Sequence, residues 1–147
     1  MTPYLVVDNE MLTALKQAAK NGVDVRIIVP HIPDKWYVLE TTRASYYELI
    51  KAGCKIYEYT PGFIHSKVIM ADNAMAMVGT INMDYRSYYL DFECGVFVYN
   101  MEMIRDIVID FEETFEQSQL IDMSDVKKVS FFRRIVRAVL RLFAPLM

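Results

Sequence analysis

The chain is poor in the residues that would tie it to several common functions. Its 147 residues include two cysteines, two histidines, five glycines, five prolines and one tryptophan. Cys54 and Cys94 have neither metal-ligand spacing nor the density of a disulfide scaffold, so they read as buried free thiols in a reducing compartment. So little glycine and proline excludes a collagen-like or disordered chain, and no low-complexity segment is present. No stretch approaches the roughly 18 uninterrupted apolar residues of a membrane span, and the first residues lack the basic start and apolar core of a secretory signal. No His, Cys, Asp and Glu cluster has ligand spacing, so neither a metal nor a cofactor is expected.

What is present suits one globular domain with a sizeable core: 54% of residues are hydrophobic and 24% charged. The net charge of −3 hides an asymmetry. Residues 125–147 hold Lys127, Lys128, Arg133, Arg134, Arg137 and Arg141 against Asp125 alone, whereas the rest carries ten basic and eighteen acidic residues. An acidic body argues against a nucleic-acid partner. A basic tail suits an anionic surface.

The first half alternates strand and helix. Residues 3–7 read as a buried strand, Asn9 as the cap of a helix stopped by Gly22, and residues 23–29 as a β-branched strand. Two prolines make residues 30–35 a loop. A helix over 37–52 ends at Gly53, and 54–59 alternates as a strand. Strands at 64–71, 75–79 and 91–99 follow, the first two joined by a tight turn at Asp72-Asn73. A long helix starts near residue 101, and residues 122–125 read as a linker. The predicted fold class is α/β: a mixed, mostly parallel sheet with helices on both faces, spanning 1–121, plus a basic amphipathic tail over 122–147.

The segment from Gly62 to Asp84, GFIHSKVIMADNAMAMVGTINMD, carries the chemistry. On a strand, residues two apart face the same way, so His65 and Lys67 share a face. An imidazole beside an ammonium can hold and attack an anion: lysine offers charge and donors, and a neutral ring nitrogen attacks phosphorus or carries a proton. The Thr80 hydroxyl and Asn82 amide, on the following turn, are placed to reach a phosphate over His65.

His65-x-Lys67-x4-Asp72-x6-Gly79-Thr80-x-Asn82 resembles the HKD motif of the phospholipase D superfamily. The segments 2–4, 22–30, 45–68 and 79–93 are similar to the second, C-terminal HKD half of bacterial cardiolipin synthases, and the similarity runs to the closing Ala144-Pro145-Leu146-Met147. The resemblance implies a phospholipase D-type sandwich. It implies that His65 is the nucleophile forming a phosphohistidine, or the paired general acid. Lys67 and Asn82 would clamp phosphate oxygens, Thr80 would add a hydroxyl, Asp72 would be a supporting carboxylate, and Glu93 would hydrogen-bond the motif histidine. The implied reaction moves a phosphatidyl group between two phosphatidylglycerol molecules, giving cardiolipin and glycerol at the cytoplasmic face of a bacterial membrane.

Two HKD motifs are needed for such a site, and this chain holds one. His31 is followed by Ile32 and Pro33, so no lysine stands two residues on. The expectation is half of a longer enzyme, inert alone and completed by an N-terminal HKD half. The alternative is a phospholipase D, phosphodiesterase or nuclease that builds its site from two copies. In the tail, helical spacing groups Val129, Phe132, Val136, Val139, Leu140 and Phe143 opposite Arg134, Arg137 and Arg141. Phe132 and Phe143 with these three arginines are therefore the expected membrane contacts.

Overall fold

The computed structural model describes residues 1–146; Met147, the last residue of the resemblance, lies outside them. The first half runs β1 (Leu5–Val6), α1 (Asn9–Lys20), β2 (Arg26–Pro30), α2 (Trp36–Ala44), α3 (Tyr46–Ala52) and β3 (Lys55–Tyr59). Then come β4 (Val68–Ala71), β5 (Met75–Gly79), β6 (Met83–Asp84), α4 (Tyr85–Tyr89) and β7 (Gly95–Tyr99). The chain closes with α5 (Met103–Glu116), β8 (Ser118–Ile121), α6 (Met123–Lys127), α7 (Phe131–Leu142) and a 3₁₀ turn at Ala144–Leu146.

Strand alternation positions the helices. Along β2, Ile27 and Val29 pack with Leu12, Leu49 and Ile56 under α1 and α3, while Ile28 packs with Phe111 of α5 on the opposite face. β2 pairs parallel with β3, and β8 adds to β3 antiparallel. β4, β5 and β7 form an antiparallel meander, and β1 pairs parallel with β6. The N-terminal residues tie these pieces together. Thr2 N–H donates to Ile28 O at 3.0 Å, the Met1 amine donates to Val68 O at 2.7 Å, and Val68 N–H donates back to Met1 O at 3.1 Å.

The α/β class is as expected, with helices on both faces, but parallel pairing is confined to β1–β6 and β2–β3. The reasons are the antiparallel β4–β5–β7 meander and β8, an unforeseen strand that enters antiparallel straight from α5. The helix expected over 37–52 breaks at Ser45, whose hydroxyl donates to Thr42 O at 2.9 Å in place of regular helix. Asp8, not Asn9, caps α1, its carboxylate accepting from Met11 N–H at 2.7 Å. The residues expected as a linker open α6 instead. Asp122 and Asp125 form a reciprocal capping box there. Cys54 is buried as expected, but Cys94 is exposed.

Candidate active site

Residues 64–67 have no regular structure and lie just before β4, but the Gly79 N–H donates to Lys67 O at 3.2 Å, carrying the ladder one step further. Asp72 and Asn73 have φ of 53° and 52°, the left-handed conformations of a tight primed hairpin turn. That turn fixes the β4–β5 register and sets Gly79-Thr80 beside Lys67. Gly79 is forced by the partner strand: a Cβ there would lie 2.3 Å from Cys94 O and 2.6 Å from Gly95 Cα. Close approach of β5 and β7 is what brings Thr80 and Glu93 together.

The His65 ring is exposed and packs 5.7 Å, centroid to centroid, from Phe63. Lys67 Nζ donates to His65 O at 2.8 Å and lies 3.1 Å from both ring nitrogens. Burial pushes the Lys67 ammonium below its ordinary value, with the charges of Glu93 and Asp84 opposing that shift. Glu93 accepts from the Thr80 hydroxyl and, at 2.6 Å, from the Ser87 hydroxyl. Ser87 in turn accepts from Asn82 N–H at 3.0 Å, and its own N–H donates to Asp84 at 2.8 Å. Burial raises the Asp84 carboxyl above its usual value against the hydrogen bonds from Ser87 and Asn82.

Histidine, lysine, threonine, asparagine and glutamate of the expected set thus meet in one place. Among the described residues, however, no hydrogen bond joins Glu93 to His65; Glu93 is held by Thr80 and Ser87. The Thr80 hydroxyl donates to Glu93 and lies 3.3 Å from Cys94 O, so it ties the carboxylate to the β5–β7 edge. Asn82 Oδ1 is buried and unpartnered. Asp72 sits in the turn at the opposite end of β4 from Lys67 and does not join the cluster. Ser87 and Asp84 were missed as site residues. Their signal was the Asp-x-x-Ser spacing of a helix cap, which α4 uses.

His31 belongs elsewhere. Its Nδ1 lies 2.7 Å from Glu58, a carboxylate 2% exposed that also accepts from Arg43 and Tyr46. Burial raises the Glu58 carboxyl, but the Arg43 guanidinium outweighs it and the net shift is downward. Among the described residues no carboxylate, thiol and imidazole cluster could hold a metal.

The tail arginines do not all point where the sequence reading put them. Arg137 donates to Glu40 at 2.8 Å, joined there by Arg133 at 2.7 Å, and Arg141 donates to Glu48 at 3.2 Å. Arg137 and Arg141 therefore dock α7 onto α2 and α3, and of the three only Arg134 has no carboxylate partner among the described residues. The buried Glu40 on α2 and the partly exposed Glu48 on α3 pair with this cationic face. Phe132 and Phe143 stay exposed.

A family model described as "Cardiolipin synthase, PLD-like domain" matches residues 1–118. The chain belongs to the cardiolipin synthase, phospholipase D-like family. It is 45% identical over 146 residues to cardiolipin synthase 2 of Bacillus anthracis, covering 99% of this chain and 28% of that protein. Against the cardiolipin synthase of Geobacillus kaustophilus the identity is 46% over 146 residues, covering 99% and 29%. This phospholipase D-like chain thus spans less than a third of those relatives. Its fold is similar to that of Nuc, a phospholipase D family member of Salmonella typhimurium, with a TM-score of 0.71 and 22% identity over 83% of this chain and 80% of Nuc. A phosphatidylserine synthase of Haemophilus influenzae shares the fold at a TM-score of 0.72 and 17% identity, over 99% of this chain and 38% of that one.

Proposed function

We propose that this chain is the C-terminal catalytic half of a cardiolipin synthase, transferring a phosphatidyl group between two phosphatidylglycerol molecules through His65. The observation that carries this reading is the exposed His65 ring with Lys67 Nζ 3.1 Å from its nitrogens, beside a carboxylate fixed by Thr80 and Ser87.

In the first displacement a His65 nitrogen bonds to phosphorus while the bond from phosphorus to the departing glycerol oxygen breaks. The alkoxide takes a proton from an acid on the missing half. A hydroxyl of the second phosphatidylglycerol then attacks the phosphohistidine, gives its proton to that same group, and leaves as cardiolipin when the phosphorus–nitrogen bond breaks. Lys67 and Asn82 hold the phosphate oxygens and offset charge developing on them. Glu93, set by Thr80 and Ser87, stands near Lys67. The reaction proceeds at the cytoplasmic face of a bacterial membrane. No helix of the described residues is long and apolar enough to cross one.

A partner surface adjoins the site. The face of the meander that continues from Lys67 carries Ile69, Phe97 and Tyr99, which are 45%, 65% and 59% exposed. An N-terminal HKD half covering this face would bring the second histidine. The same face supports a second reading, a phospholipase D or phosphodiesterase made of two copies of the chain.

Turnover of phosphatidylglycerol in vesicles separates these readings, using the chain alone and mixed with a separately expressed N-terminal HKD half. Activity only in the mixture, abolished by His65→Ala, is expected. Activity of the chain alone, rising with dimer concentration, would replace the half-enzyme reading with the two-copy one. Water in place of lipid as acceptor would make the enzyme a hydrolase.

A further inference from the structure

A cavity of 740 Å³ opens between α7 and the α2–α3 region, and it shares no lining residue with the His65 cluster. Arg43, Lys127, Arg134, Arg137 and Arg141 line it, and no acidic residue does. Three of these have carboxylate partners outside the lining: Arg43 with Glu58, Arg137 with Glu40 and Arg141 with Glu48. Lys127 and Arg134 have none among the described residues. The cavity therefore presents an excess of two positive charges in a concave wall.

Helix geometry says what lies beside it. At about 100° per residue, α7 divides into four arcs, one of them the exposed Phe132 and Val139. Arg133, Val136, Arg137 and Leu140 face α2, and Arg134, Ala138 and Arg141 follow along the cavity. Next round the helix come Leu142, Phe131 and Ile135, which are 78%, 78% and 45% exposed. Leu142 belongs to both, lining the cavity and opening the exposed apolar arc. A soluble anion would use the charges and leave this arc idle. A phosphodiester carrying acyl chains would use both.

We propose that this cavity binds the phosphate of an anionic phospholipid apart from the catalytic histidine, Lys127 and Arg134 contacting the phosphate and the acyl chains lying along Phe131, Ile135 and Leu142. The site would hold the domain on its lipid surface while His65 turns over other molecules. It stands independently of the transfer reading, because none of its groups takes part in that reaction.

The test is vesicle flotation of the chain with phosphatidylcholine alone and with phosphatidylglycerol added, comparing the parent, the Lys127→Ala/Arg134→Ala pair, Arg134→Lys and His65→Ala. Neither Lys127 nor Arg134 holds another residue, so the fold should persist, and circular dichroism melting checks this. Binding only to the phosphatidylglycerol vesicles is expected, falling roughly thirtyfold in the double alanine variant. Arg134→Lys should retain most binding and His65→Ala all of it. Equal flotation by the double variant, or equal binding to phosphatidylcholine alone, overturns the proposal. Displacement by inorganic phosphate at matched ionic strength also overturns it, because the site would then read free phosphate. If an N-terminal half blocks vesicle binding by filling the cavity, the occupant is that protein segment and the lipid assignment falls.

Discussion

α5 and α7 are both amphipathic helices, and they are laid on the body in opposite ways. α5 buries Ile104 and Phe111 against the sheet, packs the Phe115 ring 4.6 Å from Tyr57 at a tilt, and leaves acids such as Glu112 and Glu113 exposed. α7 buries none of its residues, docks through arginine–carboxylate pairs and turns Phe131, Phe132 and Leu142 outward. A hydrophobic stripe tells that a helix has two faces; what it meets decides which one goes in. α5 meets Ile28 and Val98, whereas α7 meets Glu40 on α2 and Glu48 on α3. The first contact is a core. The second is a charged latch, sensitive to acid.

The comparison can be broken most severely at Phe111. Phe111→Ala should lower stability by about 3–5 kcal/mol in urea unfolding, through lost burial and a cavity. Glu40→Gln should instead release α7 locally, by about 2 kcal/mol, because Arg137 loses its charged acceptor. Hydrogen exchange over 131–142 would rise while exchange over 103–116 stays slow; equal acceleration of both helices would refute the latch.

Acid should separate the two helices without mutation. Burial pushes the Glu40 carboxyl up, but Arg137 and Arg133 outweigh it and hold it below 4.5. Lys16 and Arg141 likewise hold Glu48 below 4.5 against its partial burial. Both carboxylates therefore stabilise the docked state fully above that unfolded value, and the contribution is lost as pH falls through the lower folded values. Amide exchange as a function of pH should show α7 loosening first. The smallest effect is expected from Phe131→Ser with Leu142→Ser, which should change stability by no more than ~0.5 kcal/mol each, because neither side chain is buried. A larger loss in calorimetry would mean that the exposed arc is covered in solution.

The parts of this protein legible in its sequence were those set by local rules. Alternation placed β2 and β3 with helices on either side, and Gly53, with φ of 106°, ends α3 where glycine is wanted. The HKD spacing brought His65, Lys67, Thr80 and Asn82 together because one hairpin turn and one strand pair separate them. What escaped depends on distant partners. β8 is a strand because β3 offers it an edge, and nothing in Ser118–Ile121 announces that. Asp72 shares the motif's spacing but not its place, since the turn carries it to the far end of β4. The orientation of α7 followed from Glu40, some ninety residues earlier in the chain. Its pattern alone could point the arginines either way.

The unequal burial of the two thiols gives the chain a built-in optical address. Cys54 lies in the core, where burial pushes its pKa up, while Cys94 is exposed, and its backbone pairs with Thr80 next to Glu93. A maleimide dye added to the unaltered chain should therefore label Cys94 alone. Its emission would then report in real time, and without engineering a single residue, when another polypeptide closes over the edge that carries Thr80 and Glu93.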